Sequence, residues 1–234
     1  MNDPARHIGI AAVSAEGASL CYRTVCIEGA SLLGRHDHPE VTLHNHSLAE
    51  YMRHIDANRW DEAGRLLLDS ANKLVQAGAE LLICPDNTVH PALEMIRKQS
   101  PAPWLHIAEE VAEVAARRHF KRLGILGTRL LMEGSVYAAK LGSRGMEVET
   151  PDRAERERID TIIFDELVCG QFQEQSRRYM HDVIRGLGAR GCDAVVLGCT
   201  EIPLLVPEAE SPLPAIDSTR TLARAALREA TRHS

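Results

Sequence analysis

Aromatic residues are scarce in this chain, at 4% of 234 residues. A surface that stacks nucleic-acid bases needs more of them. Excess positive charge is also missing. Lys and Arg number 27 against 33 Asp and Glu, a formal net charge of −6. No nucleic-acid partner and no membrane surface is therefore expected. No apolar run approaches membrane-spanning length, and residues 1–7 (MNDPARH) lack a signal-peptide pattern. The expected compartment is the cytoplasm. Six cysteines (Cys21, Cys26, Cys84, Cys169, Cys192 and Cys199) include no C-x-x-C pair, and a chain of this size needs no disulfide framework. Cys26, Cys84 and Cys169 lie in apolar surroundings and read as buried small hydrophobes. Lysines are few (Lys73, Lys98, Lys121, Lys140) and sit in helical or surface-like contexts, so nothing suggests pyridoxal phosphate. Gly124-Ile125-Leu126-Gly127-Thr128 lacks the lysine of a phosphate loop and the spacing of a dinucleotide fingerprint. No cofactor is expected.

What is present is an alternation of strand and helix. At 44% hydrophobic residues, the chain can fill one large α/β domain or two small ones. Strand patterns fall at Ile8–Ala12, Val41–His44, Leu81–Cys84, Arg122–Leu126, Val148, Ala194–Leu197 and Ala215–Ile216. Helical spacing runs over Glu16–Leu33, Trp60–Gly78, Ala92–Ser100, Glu109–Arg118, Gly134–Gly145, Asp160–Cys169, Gln173–Ala189 and Ser218–Thr231. Ser218 reads as the N-cap of the last helix. Repeated βα units predict parallel sheets with helices on both faces. The halves echo each other: HIGIAAVSAEG resembles KRLGILGTRLLMEG, and AELLICPDNT resembles CDAVVLGCTE. Two pseudo-symmetric lobes are expected, with the active site in the interlobe cleft. The first lobe takes residues 1–106 plus 217–234, and the second 107–216.

Two strand ends carry the chemistry. Leu81-Leu82-Ile83-Cys84 runs into Pro85-Asp86-Asn87-Thr88, and Ala194-Val195-Val196-Leu197 runs into Gly198-Cys199-Thr200-Glu201. Ligands of α/β proteins bind beyond the carboxyl ends of strands. Cys199 precedes a helix-start signal, where a thiol would ionise more readily. Asp86 follows Pro85, so it reads either as a base or as the cap of an Asx-turn. Ser14, Thr88, Thr128 and Thr200 suit helix caps as well as ligand contacts. Glu201 is placed to orient a substrate nitrogen or Cys199, or to favour the helix start by its charge. His36, His38, His44 and His46 cluster in sequence, but their spacing matches no standard metal motif. No metal is assigned.

These motifs resemble the aspartate/glutamate racemase superfamily. The carriers are Asp86-Asn87-Thr88-Val89-His90, Gly198-Cys199-Thr200-Glu201, HIGIAAVSAEG, LGILGTRLLMEG, IIFDELVCG and PAIDSTRTLA. The resemblance covers essentially the whole chain, in order. It implies a cofactor-independent racemase with Asp86 and Cys199 as the acid/base pair. Asn87, Thr88, Thr128 and Thr200 would hold the substrate α-carboxylate, Ser14 and Glu201 would touch substrate, and His90 would support the first group. It also implies a small amino-acid or carboxylate substrate and a homodimer. Two departures stand out. Asp86 replaces the family's first cysteine, and Val168 stands where aspartate-specific members are similar in using a basic residue.

An Asp/Cys pair is unequal. Unperturbed side chains differ by ~4.6 pH units, so reversing their protonation costs about 6 kcal/mol before the environment acts. The pair is therefore expected to treat enantiomers asymmetrically. A decarboxylase or cis-trans isomerase of a small dicarboxylic acid using only Cys199, and a non-catalytic carboxylate binder, fit the same residues.

Overall fold

The computed structural model describes residues 5–232; residues 1–4, part of the stretch read for a signal peptide, lie outside them. The strands that carry the site are continuous apolar runs. β1 (Ile8–Ala12) is IGIAA and β3 (Leu81–Ile83) is LLI, buried at every position. A strand covered on both faces shows this pattern in place of alternation.

Two compact units divide the chain, one running up to Ile107 and resuming at Leu222, the other Ala108–Thr221. The first unit has a four-stranded parallel sheet in the order β2-β1-β3-β4, with β2 at Val41–Asn45 and β4 at Trp104–Leu105. Its helices are α1 (Ala15–Leu33), α2 (Leu48–Ile55), α3 (Trp60–Gln76) and α4 (His90–Ile96). Leu82 packs on one sheet face with Tyr51, Leu67 and Leu93. Its neighbours Leu81 and Ile83 pack on the other, with Cys21, Val25 and Leu222. Side chains of successive strand residues point to opposite faces, so three consecutive residues serve two cores. Each fully buried aliphatic side chain contributes about 1.5–3 kcal/mol.

The second unit repeats the order as β6-β5-β7-β8, again parallel. These strands are β5 (Arg122–Leu126), β6 (Glu147–Glu149), β7 (Ala194–Leu197) and β8 (Ala215–Asp217). Its helices begin with α5 (Ile107–Arg117), which the chain enters from the first unit, and continue with α6 (Arg129–Glu133), α7 (Val136–Gly142), α8 (Arg153–Ile162), α9 (Glu174–Ala189) and α10 (Ile202–Leu205). The chain returns to the first unit inside α11 (Ser218–Ala230).

The same register recurs within each unit. Gly9 of β1 faces Leu82 of β3, and Gly124 of β5 faces Val195 of β7. Both glycines admit close packing. A Cβ on Gly9 would lie 2.8 Å from Ala79 Cβ, and one on Gly124 would lie 2.8 Å from Leu187 Cδ1. Asp86 and Cys199 each stand four residues beyond the strand residue that faces this glycine. They occupy the same position of two structural repeats.

Several expectations are corrected. The expected helix Gly134–Gly145 is the shorter α7, and a further helix, α6, stands upstream of it, capped by Thr128. The expected helix Asp160–Cys169 opens instead at Arg153, where Asp152 and Glu155 form a reciprocal capping box, and it widens into a π-turn at Ile163–Leu167. α2 was not anticipated; its eight residues follow a Ser47 that makes no side-chain cap. Asp217, not Ser218, caps α11: Asp217 Oδ1 accepts from Arg220 N at 3.0 Å, while Ser218 Oγ donates to Leu197 O at 2.9 Å. Cys169 is exposed and Cys26 half-buried, so of the three cysteines read as buried only Cys84 is. Among the described residues no helix is long and apolar enough to cross a membrane.

Candidate active site

The carboxyl end of β3 bends at Pro85 into a loop organised by Asp86. Its Oδ1 accepts from Thr88 N at 2.9 Å and Val89 N at 3.1 Å. This is the Asx-cap geometry anticipated as the competing role of Asp86, and one carboxylate oxygen serves it. Asp86 and Thr88 are half-buried and Asn87 is buried. His90 opens α4 and is fully buried, its Nε2 3.2 Å from Cys84 O. The His106 ring lies edge-on to it with centroids 4.3 Å apart. His90 thus ties the strand end to the helix after the Asp86 loop. His106, which packs on it, was missed. A lone histidine after an apolar strand gives no periodic signal.

Cys84 adjoins this loop but is a different kind of thiol. It is fully buried, and burial, then the nearby Asp86 charge, pushes its ionisation well above the ordinary thiol range. A thiol held this way is inert as a base.

The carboxyl end of β7 is set more tightly. Gly198 N donates to Leu126 O at 2.6 Å. A Cβ on Gly198 would lie 2.9 Å from that same carbonyl oxygen and 2.7 Å from Leu131 Cδ2, so only glycine fits. Cys199 follows, 7% exposed, among Met132, Leu167, Ile202 and Leu205. The helix expected to favour its thiolate is α10, which begins only at Ile202 and has four residues. So short a helix sums few peptide dipoles, and Cys199 stands outside its first turn. The thiol has another partner instead: Cys199 Sγ donates to Glu201 Oε2 at 3.0 Å, and Thr200 Oγ1 donates to the same oxygen at 2.6 Å. Thr200 and Glu201 are both buried. The hydroxyl of Thr200, read above as part of a carboxylate cradle, is here a donor to Glu201.

Ser14 and Thr128 open the helices that follow the two central strands. Ser14 Oγ accepts from Gly17 N at 3.2 Å, and Thr128 Oγ1 accepts from Leu131 N at 3.3 Å. Both are caps in this structure. Val168 follows the π-turn and packs, half-buried, against the apolar cluster that contains Cys199.

The histidine run separates. His44, His46 and Asp69 bring potential ligand atoms within 4.8 Å of one another. His36 lies in a turn with φ 68°, and His38 Nδ1 contacts Pro39 O. The trio already has partners: Asp69 Oδ2 is 2.6 Å from Lys73 Nζ and 2.7 Å from His46 Nε2, and His44 Nδ1 is 2.9 Å from Ser70 Oγ. The Lys73 ammonium occupies the carboxylate a metal would need. Asp69 is held below its ordinary ionisation range by Lys73 first.

Each of the two parallel-sheet repeats ends a buried strand in an ionisable side chain, at the strand ends where α/β proteins bind small ligands. The family model for Asp/Glu/hydantoin racemase matches residues 12–226, and the chain belongs to that family. Among curated proteins it is 25% identical over 167 residues to the broad-specificity amino-acid racemase RacX of Bacillus subtilis (strain 168), covering 70% of each. Among solved structures it is similar to a candidate Asp/Glu racemase from Yersinia pestis, with TM-score 0.88, 32% identity, and 97% and 100% of the two chains covered. An aspartate racemase homologue from Pyrococcus horikoshii OT3 gives TM-score 0.82 at 26% identity, with 97% and 100% covered.

Proposed function

We propose that this protein is a cofactor-independent amino-acid racemase whose acid/base pair is Asp86 and Cys199. The observation that carries the reading is the register equivalence of the two residues, a carboxylate and a thiol at one position of two repeats. In this reading one residue removes the α-proton from one face of Cα, and the other returns a proton to the opposite face. The electron pair left by the C–H bond moves onto the substrate carboxylate. Donors beside that carboxylate stabilise it where charge develops. Asn87, Thr88 and Thr128 are the proposed side-chain donors, Thr200 contributes its backbone N–H because its hydroxyl donates to Glu201, Ser14 is a further contact, and His90 supports the Asp86 loop. Positioned acid/base groups supply about 10²–10⁴-fold each. The two side chains are themselves acid and base, so the reading calls for no cofactor.

The substrate is a small amino acid, and the reading also places the protein in the cytoplasm as a homodimer; sedimentation tests the dimer separately. The deciding experiment is Cα deuterium incorporation in D₂O over a panel of amino and dicarboxylic acids. Exchange at Cα with conversion between enantiomers is expected. CO₂ release without exchange would make the protein a decarboxylase, and saturable binding with neither would make it a carboxylate binder.

A further inference from the structure

Among the described residues the buried carboxylates are Asp217 and Glu201, 1% and 3% exposed. Asp217 is paired with Arg220. Glu201 has no ion pair, and its Oε1 is buried with no hydrogen-bond partner. Its Oε2 takes both available protons, from Cys199 Sγ and Thr200 Oγ1. A charge placed in a dry site without a counter-ion is strongly unfavourable unless a proton is close by to neutralise it. Of the two donors on Oε2 the thiol is much the stronger acid, so its proton is the one that Glu201 can take.

The arrangement is held from outside the loop. Gly198 is fixed by Leu126 O, and the strand behind it by Ser218 Oγ on Leu197 O. The backbone that carries the thiol is therefore tied at both residues that precede it.

We propose that Glu201 is a positioning residue that shares one proton with Cys199: it keeps the resting thiol protonated and receives that proton on Oε2 when sulfur acts as the base. The transfer breaks S–H, forms O–H, leaves the electron pair on sulfur and does not change the charge of the pair. The thiolate then takes the α-hydrogen of the substrate as a proton. S–H re-forms, the C–H electron pair stays on the substrate, and the pair holds two protons. The reverse steps make Cys199 the acid. The thiol thus becomes a base without releasing a proton to solvent. This inference takes Cys199 as the working thiol from the reading above, but its test needs no substrate.

The test is the pH dependence of thiolate ultraviolet absorbance in the full chain, native minus Cys199→Ser, compared with Glu201→Gln minus Cys199→Ser/Glu201→Gln. An adjacent carboxylate that accepts S–H disfavours the thiolate twice, by its charge and by bonding the neutral form. Removing it should lower the Cys199 midpoint by about one pH unit or more, roughly tenfold more thiolate at neutral pH. Glu201→Asp, which keeps the charge and withdraws it, should fall between the two. Ionisable groups on the elements around this loop are Tyr137, whose ring lies beside Gly198, Glu166 on the π-turn that packs against α10, and Glu208, Asp217 and Arg220 at the end of β8, the strand paired with β7. All are unchanged in these variants, so a shift belongs to Glu201. A midpoint that stays or rises in Glu201→Gln overturns the proposal. Should that variant not fold, a Glu201→Asp midpoint equal to native overturns it. Cα exchange is measured independently, so a lowered midpoint in a protein that exchanges no substrate would reject the racemase reading and leave the proton-sharing pair standing.

Discussion

Asp86 caps its loop and is the proposed base, and a pair of substitutions separates the two roles. Its Oδ1 caps the loop through Thr88 N and Val89 N. Asparagine keeps that acceptor oxygen but cannot be a base. Asp86→Asn should therefore leave thermal stability near native while Cα exchange falls at least about 10²-fold. Asp86→Ala should lose the cap as well, at about 0.5–2 kcal/mol. Equal exchange in native and Asp86→Asn protein would leave Asp86 only a cap. Among the thiols, Cys199→Ser should abolish exchange and Cys84→Ser should leave it, because Cys84 is sealed in the core with its ionisation driven up by burial. Loss of exchange in both would remove Cys199 from its role. At this scale the sequence identified the residue types but not their bonds. Gly-Cys-Thr-Glu was readable as a motif. The convergence of a thiol and a hydroxyl on one carboxylate oxygen depends on side-chain torsions that no spacing encodes.

The elements were legible where a periodic signal was strong. β1, β5 and β7 stand at the expected residues because short apolar runs bounded by turns have few alternatives. Helix starts were harder. Asp152-Arg153-Ala154-Glu155 is a readable capping box, yet the polar first turns of α8 hid the helix that it opens. Asp152→Ala should cost about 1 kcal/mol, a fall in Tm of about 2–4 °C in a chain of this size. An unchanged melting curve would show the box to be idle. The two central-strand glycines also differ measurably. A Cβ on Gly9 meets Ala79 Cβ at 2.8 Å, which cannot swing away. One on Gly124 meets the far end of Leu187 and Val195 Cγ1 at 3.1 Å, which can adjust. Overpacking costs about 1–3 kcal/mol, and Gly9→Ala should lie above Gly124→Ala in that range. Urea midpoints at constant slope check the order, and the reverse order would contradict the packing described here.

At the scale of the molecule, the racemase reading predicts directional asymmetry, since a carboxylate and a thiol differ in intrinsic acidity. The Haldane relation holds kcat/KM equal in both directions when enantiomers are equally stable. The difference should appear instead in kcat and in pH profiles measured separately for L and D substrate. Asp86→Cys should bring the two directions closer. Identical native profiles, unchanged in Asp86→Ala, would leave a single-thiol catalyst. The α/β class and the repeat were readable from AELLICPDNT and CDAVVLGCTE, because both are buried strands with turn residues at the same offset. The crossings inside α5 and α11 also bear on biosynthesis. The first unit needs Leu222, Ala223, Ala226 and Leu227 to cover Ile8, Ile10 and Ile83. Those covering residues are the last of its core to leave the ribosome, after all of Ala108–Thr221. The first sheet must therefore wait with one apolar face only partly covered, by Cys21, Val25 and Ile107, while the inserted unit, continuous in sequence, is free to fold first. The interrupted unit is thus the one that carries exposed apolar surface for longer during synthesis, and with it the greater risk of aggregation.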